Sequence, residues 1–240
     1  MRNFKIIASK ANIYTGQVKK LKEQSELPTQ VVYIEDLLED DKIDFENSIV
    51  YFLCCNSPLV PSVIPKLKDC NCYVINKEYL EKNHLKLDVQ MLLHKNNVSI
   101  PQIYSFENIN DIKFPVFCKE NRHEGIIAQI YNDLTITRLF SKFNSKDFYI
   151  EQSIDSKFSN EIKVYYVAGK VFFKDSQSHD EIVNNICKNI SVALNNLEVF
   201  SADIIKSQDN NYYVIDVNPS AGFYLSDDGR KYFLDELKKR

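Results

Sequence analysis

Two oxygen-bearing side chains near the end of the sequence have the types and the spacing of a metal site. Asp216 and Asn218 end the apolar run that begins at Tyr212, and Pro219 follows directly. Alternate residues of a strand point to the same face, so the carboxylate and the amide are expected side by side. Hard cations such as Mg²⁺ bind these oxygens and share them with substrate phosphates. The pattern indicates a magnesium site, but Asp and Asn at strand ends are also common turn residues.

A third acid, Asp203, lies in the preceding apolar run, which extends from residue 199 to residue 205. The polar segment Ser207 to Asn211 separates the two runs and has the composition of a tight turn. Two strand-like runs joined by such a turn predict a β-hairpin. The hairpin would bring three oxygen ligands onto adjacent strands.

Three further charged residues lie within or at the ends of apolar runs. Lys119 precedes the polar segment Glu120 to Gly125, an arrangement that suits nucleotide phosphates. Glu151 interrupts an apolar run, where a carboxylate and nearby backbone groups would supply the acceptor and the donor that adenine needs. Glu161 opens the next run and would accept hydrogen bonds from ribose hydroxyls. Taken alone, each charge is more simply explained as a solvated side chain at a strand end.

The bulk composition is that of a globular chain with interleaved charges, 44% hydrophobic and 26% charged, with a net charge of −3. No basic block indicates nucleic-acid binding, and no apolar run of about 18 residues indicates a membrane span. The cysteines form no C-x-x-C pair, so zinc is not expected, and they favour buried thiols in a cytoplasmic protein. No Ser or Cys has the histidine arrangement of a hydrolase.

The elements that must position these residues fall into three consecutive predicted domains. Residues 1–77 alternate short apolar runs with helical segments, which predicts a small parallel α/β domain. Residues 78–153 begin with two helical pieces and continue as closely spaced strands, including residues 134–139, which predicts an antiparallel sheet. Residues 154–240 contain a hairpin at Gly169, a helix over 181–197, the acidic hairpin and a polar, basic tail.

Taken in order, these segments resemble the ATP-grasp superfamily of carboxylate–amine ligases. The segments that carry the resemblance are Val74–Lys77, Lys86, Gln90–Leu93 through Val98–Pro101, Pro115–Lys119, Ile150–Ile154, Glu161–Val171, Asp203 and Ile215–Pro219. The likeness is closest to the glutamate ligases that modify ribosomal protein tails, and more distant to D-alanine–D-alanine ligases and glutathione synthetase. It implies an α/β (α+β) fold with an N-terminal parallel α/β domain, an antiparallel β lid domain and a C-terminal α+β domain. The nucleotide would lie between the last two.

The resemblance also implies a reaction and a set of site residues. Members of the superfamily phosphorylate a carboxylate with ATP to an acyl phosphate, which an amine then attacks, so that ADP and phosphate are released. The implied residues are Lys86 and Lys119 for the ATP phosphates, Glu151, Gln152, Ser153 and Ile154 for adenine, Glu161 for ribose, Asp203, Asp216 and Asn218 for Mg²⁺, and Lys163 and Lys174 for part of the substrate role.

The chain also departs from the pattern of the superfamily. The usually glycine-rich phosphate loop has only Gly125, the usual metal-bridging Glu is Asp216, and residues 175–180 lack the Arg-Asn segment of relatives. Three functions therefore stay open: a ligase acting on a small-molecule or peptide carboxylate and an amine, a non-catalytic ATP-binding regulatory module, and an α/β interaction domain without nucleotide. The sequence leaves the oligomeric state open.

Overall fold

The computed structural model describes residues 2–10, 15–39, 43–82, 84–104, 111–121, 126–140, 147–154, 161–174, 180–221 and 226–240. The chain divides into two compact units. The first unit consists of residues 1–83, 163–203 and 216–240, and the second consists of residues 84–162 and 204–215. The domain boundaries expected at residues 77 and 153 stay a prediction, since compact units need not coincide with domains.

The first 83 residues build a parallel sheet with helices between its strands. The elements are β1 (Asn3–Ala8), α1 (Thr15–Gln24), β2 (Thr29–Tyr33), α2 (Asp36–Glu39), β3 (Ser48–Phe52), α3 (Val60–Val63), a 3₁₀ helix (Ile64–Leu67), β4 (Tyr73–Val74) and α4 (Lys77–Leu80). The strands pair in the order β2-β1-β3-β4, and every pair is parallel. Strand β3 is buried along its whole length, as expected for a parallel sheet that is covered on both faces.

Alternate residues of β3 pack into two different cores. Ile49 and Tyr51 belong to a core that also contains residues of α1, whereas Val50 and Phe52 belong to a core that contains residues of α3. Successive side chains of a strand point to opposite faces, so this division follows directly from the apolar run in the sequence. The predicted parallel α/β layer is confirmed.

The second unit is built on an antiparallel sheet. Its elements are α5 (Lys86–Lys95), β5 (Ile103–Tyr104), β6 (Val116–Glu120), β7 (Ile126–Ile130), α6 (Asp133–Phe140) and β8 (Phe148–Gln152). The strand order is β5-β8-β6-β7, with antiparallel pairs. Val116 and Cys118 of β6 and Phe148 and Ile150 of β8 face a common core. The intervening residues of β6 and β8 therefore face the other side of the sheet.

Residues 134–139 are part of helix α6, so the prediction of a strand there is wrong. The Asn132 side chain accepts the backbone N–H of Thr135 at 3.1 Å, which caps the first turn of the helix. Ile136 is fully buried while Leu134 is 74% exposed, so only one helical face enters the core. The β-branched residues of this segment resemble a strand in composition, and the capping residue and tertiary packing override that preference.

The remaining elements form a further sheet flanked by two helices. They are β9 (Glu161–Val167), β10 (Lys170–Phe173), α7 (Glu181–Ala193), β11 (Val199–Lys206), β12 (Tyr212–Asn218) and α8 (Asp227–Leu237). The strand order is β10-β9-β11-β12. Gly169 has φ +92° in the tight turn between β9 and β10, as its position in the sequence predicts. The predicted hairpin that carries the acidic residues corresponds to β11 and β12.

Helices α7 and α8 both differ from what the sequence indicated. Helix α7 ends at Ala193 and not at residue 197, because Asn195 and Asn196 adopt left-handed conformations. The polar, basic tail, for which the sequence indicated no element, contains α8, which Ser226 caps by accepting the Gly229 N–H. The charged residues on the solvent face of α8 make its buried apolar residues, Phe233, Leu234 and Leu237, difficult to recognise in the sequence. In the described parts of the chain, every helix falls short of the length and hydrophobicity that crossing a bilayer requires.

Candidate functional site

In the second unit, the register of β6 and β8 places Lys119 and Glu151 on one face of the sheet. Lys119 lies opposite Tyr149, and Phe117 lies opposite Glu151. Directly opposed residues of an antiparallel pair share a face, and diagonal neighbours are within reach of long side chains. The predicted phosphate lysine and the predicted adenine acid are therefore diagonal neighbours.

The Lys119 ammonium group connects two parts of the predicted site. It forms an ion pair with Glu151, and the two side chains are only 8% and 2% exposed. It also donates a hydrogen bond of 2.9 Å to the backbone carbonyl of Ile215, the residue directly before Asp216. A buried charge requires an opposite charge and further hydrogen bonds, and Lys119 has both.

The predicted adenine segment, residues 151–154, begins within β8 and runs two residues beyond its end. The N–H of Gln152 donates to the carbonyl of Gln102 at 2.8 Å, and the N–H of Ser153 donates to the carbonyl of Pro115 at 3.1 Å. These two donors are therefore engaged in holding the segment in place.

Asn121 is a buried residue that the sequence did not single out. It links the strand of Lys119 to the start of the helix that carries Lys86. Its side-chain oxygen accepts the N–H of Leu87 at 2.9 Å, and its carbonyl accepts the N–H of Lys86 at 3.1 Å. Asn121 thus caps α5 at its first turn while it ends the strand that carries Lys119. The only indication in the sequence is an Asn two positions after Lys119, which is also typical of an ordinary turn.

In the first unit, Lys163 of β9 and Asp203 of β11 face each other on neighbouring strands. The Lys163 ammonium lies 2.7 Å from Oδ1 and 2.8 Å from Oδ2 of Asp203. Their side chains are 25% and 17% exposed, so this pair remains in partial contact with water. Both carboxylate oxygens of this predicted metal ligand are thus already close to a positive charge.

Lys174, the second predicted substrate lysine, lies opposite Lys163 across the β9–β10 hairpin. Phe173 pairs with Val164, and the N–H of Lys174 donates to the carbonyl of Lys163 at 2.9 Å. Opposed residues share a face of the sheet, so the two lysines project on the same side. The structure therefore brings the two predicted substrate lysines together.

The other two predicted metal ligands, Asp216 and Asn218, are half-buried on β12, the neighbour of β11. The Asn218 side-chain oxygen accepts the N–H of Ser220 at 2.9 Å, so it also has the turn role that its position suggests. An amide oxygen has two lone pairs and can serve a cation as well.

The donor set fits Mg²⁺ by its chemistry, because all its donors are carboxylate or amide oxygens. In the described residues, no group of three or more His, Cys, Asp or Glu side chains could hold a metal ion. The predicted set contains two carboxylates and one amide, so it is not a group of that kind, and its metal-binding role stays a prediction.

The segment after Asn218 is anchored to the parallel sheet of the first unit by three hydrogen bonds. They run from Tyr51 Oη to the Ala221 carbonyl at 2.8 Å, from the Cys55 N–H to Ser220 Oγ at 3.2 Å and from Asn76 Nδ2 to the Pro219 carbonyl at 3.1 Å. The end of β12 is therefore held by residues that the sequence places far away.

The cysteine thiols offer no reactive nucleophile. All six cysteines are free, and Cys54, Cys55, Cys118 and Cys187 are buried. Burial raises the pKa of the Cys55, Cys118 and Cys187 thiols to about 12. Thiolates are the nucleophilic form, so these buried side chains are inert at neutral pH. This agrees with a site chemistry based on lysines, carboxylates and an amide.

Comparison with known proteins places this geometry in a known architecture. Neither a protein-family model nor a curated protein matches the chain. The crystal structure of a RimK domain ATP-grasp protein from Sphaerobacter thermophilus superposes with a TM-score of 0.70 at 10% identity, over 97% of this chain and 98% of that chain. This chain has the ATP-grasp fold.

Other solved structures superpose on this ATP-grasp chain equally well. The ATP-grasp ligase PsnB, solved with the precursor peptide PsnA2 and AMPPNP, gives a TM-score of 0.71 at 12% identity, covering 99% of this chain and 96% of that chain. The D-alanine–D-alanine ligase of Bacillus anthracis, complexed with ATP, gives 0.72 at 16% identity, covering 98% of this chain and 95% of that chain. The fold predicted from the ordered segments is confirmed, whereas the predicted site residues stay predictions.

Two segments singled out in the sequence lie partly or wholly outside the described residues. Residues 122–125, which include Gly125, and residues 175–179 lie outside the described part of the chain. The remaining predicted residues are placed at strand or helix ends: Lys86 is half-buried in the first turn of α5, and Glu161 is exposed at the start of β9.

Proposed function

We propose that this ATP-grasp chain is a Mg²⁺-dependent ligase that uses ATP to join a carboxylate to an amine. One observation carries the proposal: the buried Lys119 ammonium contacts both Glu151 and the carbonyl of Ile215, which directly precedes Asp216. A buried lysine on a sheet face is costly and rare. Lys119 thereby contacts both Glu151 and strand β12, and the ATP-grasp resemblance assigns all three to the binding of one nucleotide.

The proposed roles follow from the charges of the side chains. Lys86 and Lys119 would neutralise ATP phosphates, and the segment from Glu151 to Ile154 would recognise adenine. Phosphoryl transfer depends mostly on positioning and charge neutralisation, so no protein nucleophile is required. Mg²⁺ held by Asp203, Asp216 and Asn218 would supply charge neutralisation at the phosphate oxygens.

The proposed reaction has two steps. A carboxylate oxygen of the substrate attacks the γ-phosphorus of ATP, the bond to the β-phosphate oxygen breaks, and ADP leaves. The amine nitrogen of the second substrate then attacks the acyl carbon, inorganic phosphate leaves with the bonding electron pair, and the amine gives up a proton to solvent. Lys163 and Lys174, which share one face of β9 and β10, would hold the anionic carboxylate for the first step.

The superposed structures support this reaction class and leave the substrate open. PsnB is a ligase solved with a precursor peptide, and N5-carboxyaminoimidazole ribonucleotide synthetase of Thermotoga maritima, which gives a TM-score of 0.70 at 13% identity, is named for a small molecule. We therefore propose a small-molecule or peptide carboxylate and an amine as substrates. The free thiols of the six cysteines favour a cytoplasmic setting for the enzyme.

A non-catalytic ATP-binding module is the second candidate, and a specific contact favours it. The Lys163 ammonium lies within 2.8 Å of both oxygens of Asp203, where it competes with a cation for that carboxylate. The segment from residue 120 to residue 125 has a single glycine, which restricts how closely its backbone can approach phosphate.

Two measurements distinguish the candidates. Isothermal titration calorimetry with ATP, with and without Mg²⁺, tests nucleotide binding, and release of ADP and phosphate in the presence of amino acids and peptides tests ligation. A ligase gives acceptor-dependent release and an amide product that mass spectrometry detects. Mg²⁺-dependent binding without product under every acceptor would establish the module, and the absence of binding would refute both.

A further inference from the structure

Asn76 forms a saturated hydrogen-bonding centre in the first unit. Its side chain is 4% exposed. Its Nδ2 donates to the carbonyls of Val199 at 2.6 Å and Pro219 at 3.1 Å, and its Oδ1 accepts the N–H groups of Glu198 at 2.8 Å and Val199 at 3.1 Å. A side-chain amide has two donor hydrogens and two acceptor lone pairs, so every hydrogen-bonding position of this amide is used.

These bonds connect the ends of two strands that carry predicted metal ligands. Val199 is the first residue of β11, which carries Asp203, and Pro219 directly follows Asn218 at the end of β12. The strands are joined at their other ends by the turn in which Ser207 donates to the carbonyl of Asn211. One amide thus ties together the two strand ends that lie away from that turn.

The backbone of Asn76 suits this role. Its φ is +61°, in the left-handed region that Asn and Gly adopt more readily than other residues. The residue lies between β4 and α4, so the left-handed turn presents the amide at the end of the parallel sheet. An apolar residue in this place would strain the backbone and remove a hydrogen-bonding partner from four backbone groups, three of them buried.

We propose that Asn76 is a positioning residue for the metal site, which sets the separation between the strand of Asp203 and the strand end of Asn218. This proposal rests on the proposed Mg²⁺-dependent function. Asn76 does not touch the metal or the substrate. It acts through the backbone of the two strands, as residues behind metal ligands commonly do when they orient those ligands.

The test compares two substitutions that keep the left-handed backbone accessible. Asn76→Asp keeps the size of the side chain but replaces the two donor hydrogens by an acceptor, which faces the carbonyls of Val199 and Pro219. Asn76→Gly removes the side chain and leaves the backbone conformation unstrained. Ser191→Ala is the matched control, because buried Ser191 donates to the carbonyl of Leu197 at 2.8 Å on the segment that leads to β11 and makes no bond to β12.

The probe is Mn²⁺ in the presence of the non-hydrolysable analogue AMPPNP, with binding followed by electron paramagnetic resonance. We expect both Asn76 variants to bind Mn²⁺ about tenfold more weakly than the wild type, the size of effect typical of residues behind metal ligands. The Mn²⁺ affinity of Ser191→Ala should stay within about twofold of the wild-type value. This substitution removes a buried hydrogen bond of the same kind, but that bond does not connect the two strands. Urea unfolding measures the stability of each variant, so that a loss of fold is distinguished from a loss of metal affinity.

A measurement on the unaltered protein covers the case in which the variants do not fold. The N–H groups of Glu198 and Val199 are held by Asn76, so their hydrogen exchange should slow when Mn²⁺ and AMPPNP bind, because coupling between two sites is reciprocal. Exchange that is unchanged by the metal, or Asn76 variants that bind Mn²⁺ as tightly as the wild type, would overturn the proposal while leaving the proposed function standing. A wild type that binds no Mn²⁺ with AMPPNP would instead overturn the metal site itself, and the role of Asn76 with it.

Discussion

The molecule has two lysine–carboxylate pairs among its predicted site residues, and they differ in their contact with water. Lys119 and Glu151 of the second unit are 8% and 2% exposed, whereas Lys163 and Asp203 of the first unit are 25% and 17% exposed. The two side chains of the first pair are almost fully buried, so each charge depends on the other for compensation. The second pair can exchange one partner for water or a cation. The difference predicts that breaking the pair costs more stability in the second unit than in the first.

The largest effect is expected from removing one member of the buried pair. Lys119→Met leaves the Glu151 carboxylate without its counter-charge in a buried place, which should lower the free energy of unfolding by about 3–5 kcal/mol. The double variant Lys119→Met with Glu151→Gln should recover most of this loss. Urea unfolding measures both variants. A loss of only about 1–2 kcal/mol in the single variant, the value expected for the more exposed pair, would show that the two pairs are alike.

The next effect concerns catalysis at Asp216, the acid of β12. Asp216→Asn keeps the shape of the side chain but removes a negative ligand, so ligation should fall by about 100-fold, as expected when several kcal/mol of charge stabilisation are lost. Asp209→Asn is the matched control, because Asp209 is an exposed acid in the turn between β11 and β12. Acceptor-dependent ADP release measures both. Equal losses in the two variants would remove Asp216 from the proposed metal site.

A smaller effect is expected from breaking the exchangeable pair. Lys163→Met leaves Asp203 in partial contact with water, so the free energy of unfolding should fall by about 1–2 kcal/mol, between the values for exposed and buried pairs. The nucleotide-free protein should bind Mn²⁺ more tightly than the wild type, because Asp203 no longer shares its oxygens with an ammonium group. Calorimetry with Mn²⁺ checks the direction. Weaker binding would mean that Lys163 positions Asp203 for the metal and does not compete with it.

The last effect is confined to alkaline pH, where the stability of the protein depends on one buried thiol from each unit. Burial raises the pKa of Cys118 and of Cys187 to about 12, above the value in the unfolded chain. The stabilisation from each thiol is therefore complete below about pH 8.5 and is lost as the pH rises toward 12, by about 1.4 kcal/mol per pH unit. Cys118→Ala and Cys187→Ala should each reduce the fall in stability between pH 8 and pH 10. A slope that neither substitution alters would place both thiols in contact with water.

The predictions from the sequence succeeded where a local pattern controls the outcome. The apolar runs of β1 and β3, the Gly169 turn and the hairpin of Asp203 and Asp216 all follow from the periodicity and composition of short segments. The prediction of a strand over residues 134–139 failed because their β-branched composition favours a strand. The cap at Asn132 and the burial of Ile136 favour a helix. The helix α8 was missed because its charged face hides the buried stripe.

Local sequence patterns did not identify the residues that connect the elements of the candidate site. Asn121 and Asn76 are single polar residues next to strands, and nothing in their neighbourhoods distinguishes them from ordinary turn residues. Their importance depends on which groups lie within hydrogen-bonding distance in the folded chain. Asn76 bonds to Val199 and Pro219, which are 123 and 143 residues away in the sequence.

Local apolar periodicity in the amino-acid sequence determined most of the strands and helices in their order, with α6 and α8 as the exceptions, and it determined the residue types at the strand ends. The tertiary structure alone decided that Lys119 lies diagonal to Glu151 and that Lys163 faces Asp203. Contacts of this kind depend on the register between strands that are distant in the chain, and a shift of one residue would turn each side chain to the opposite face.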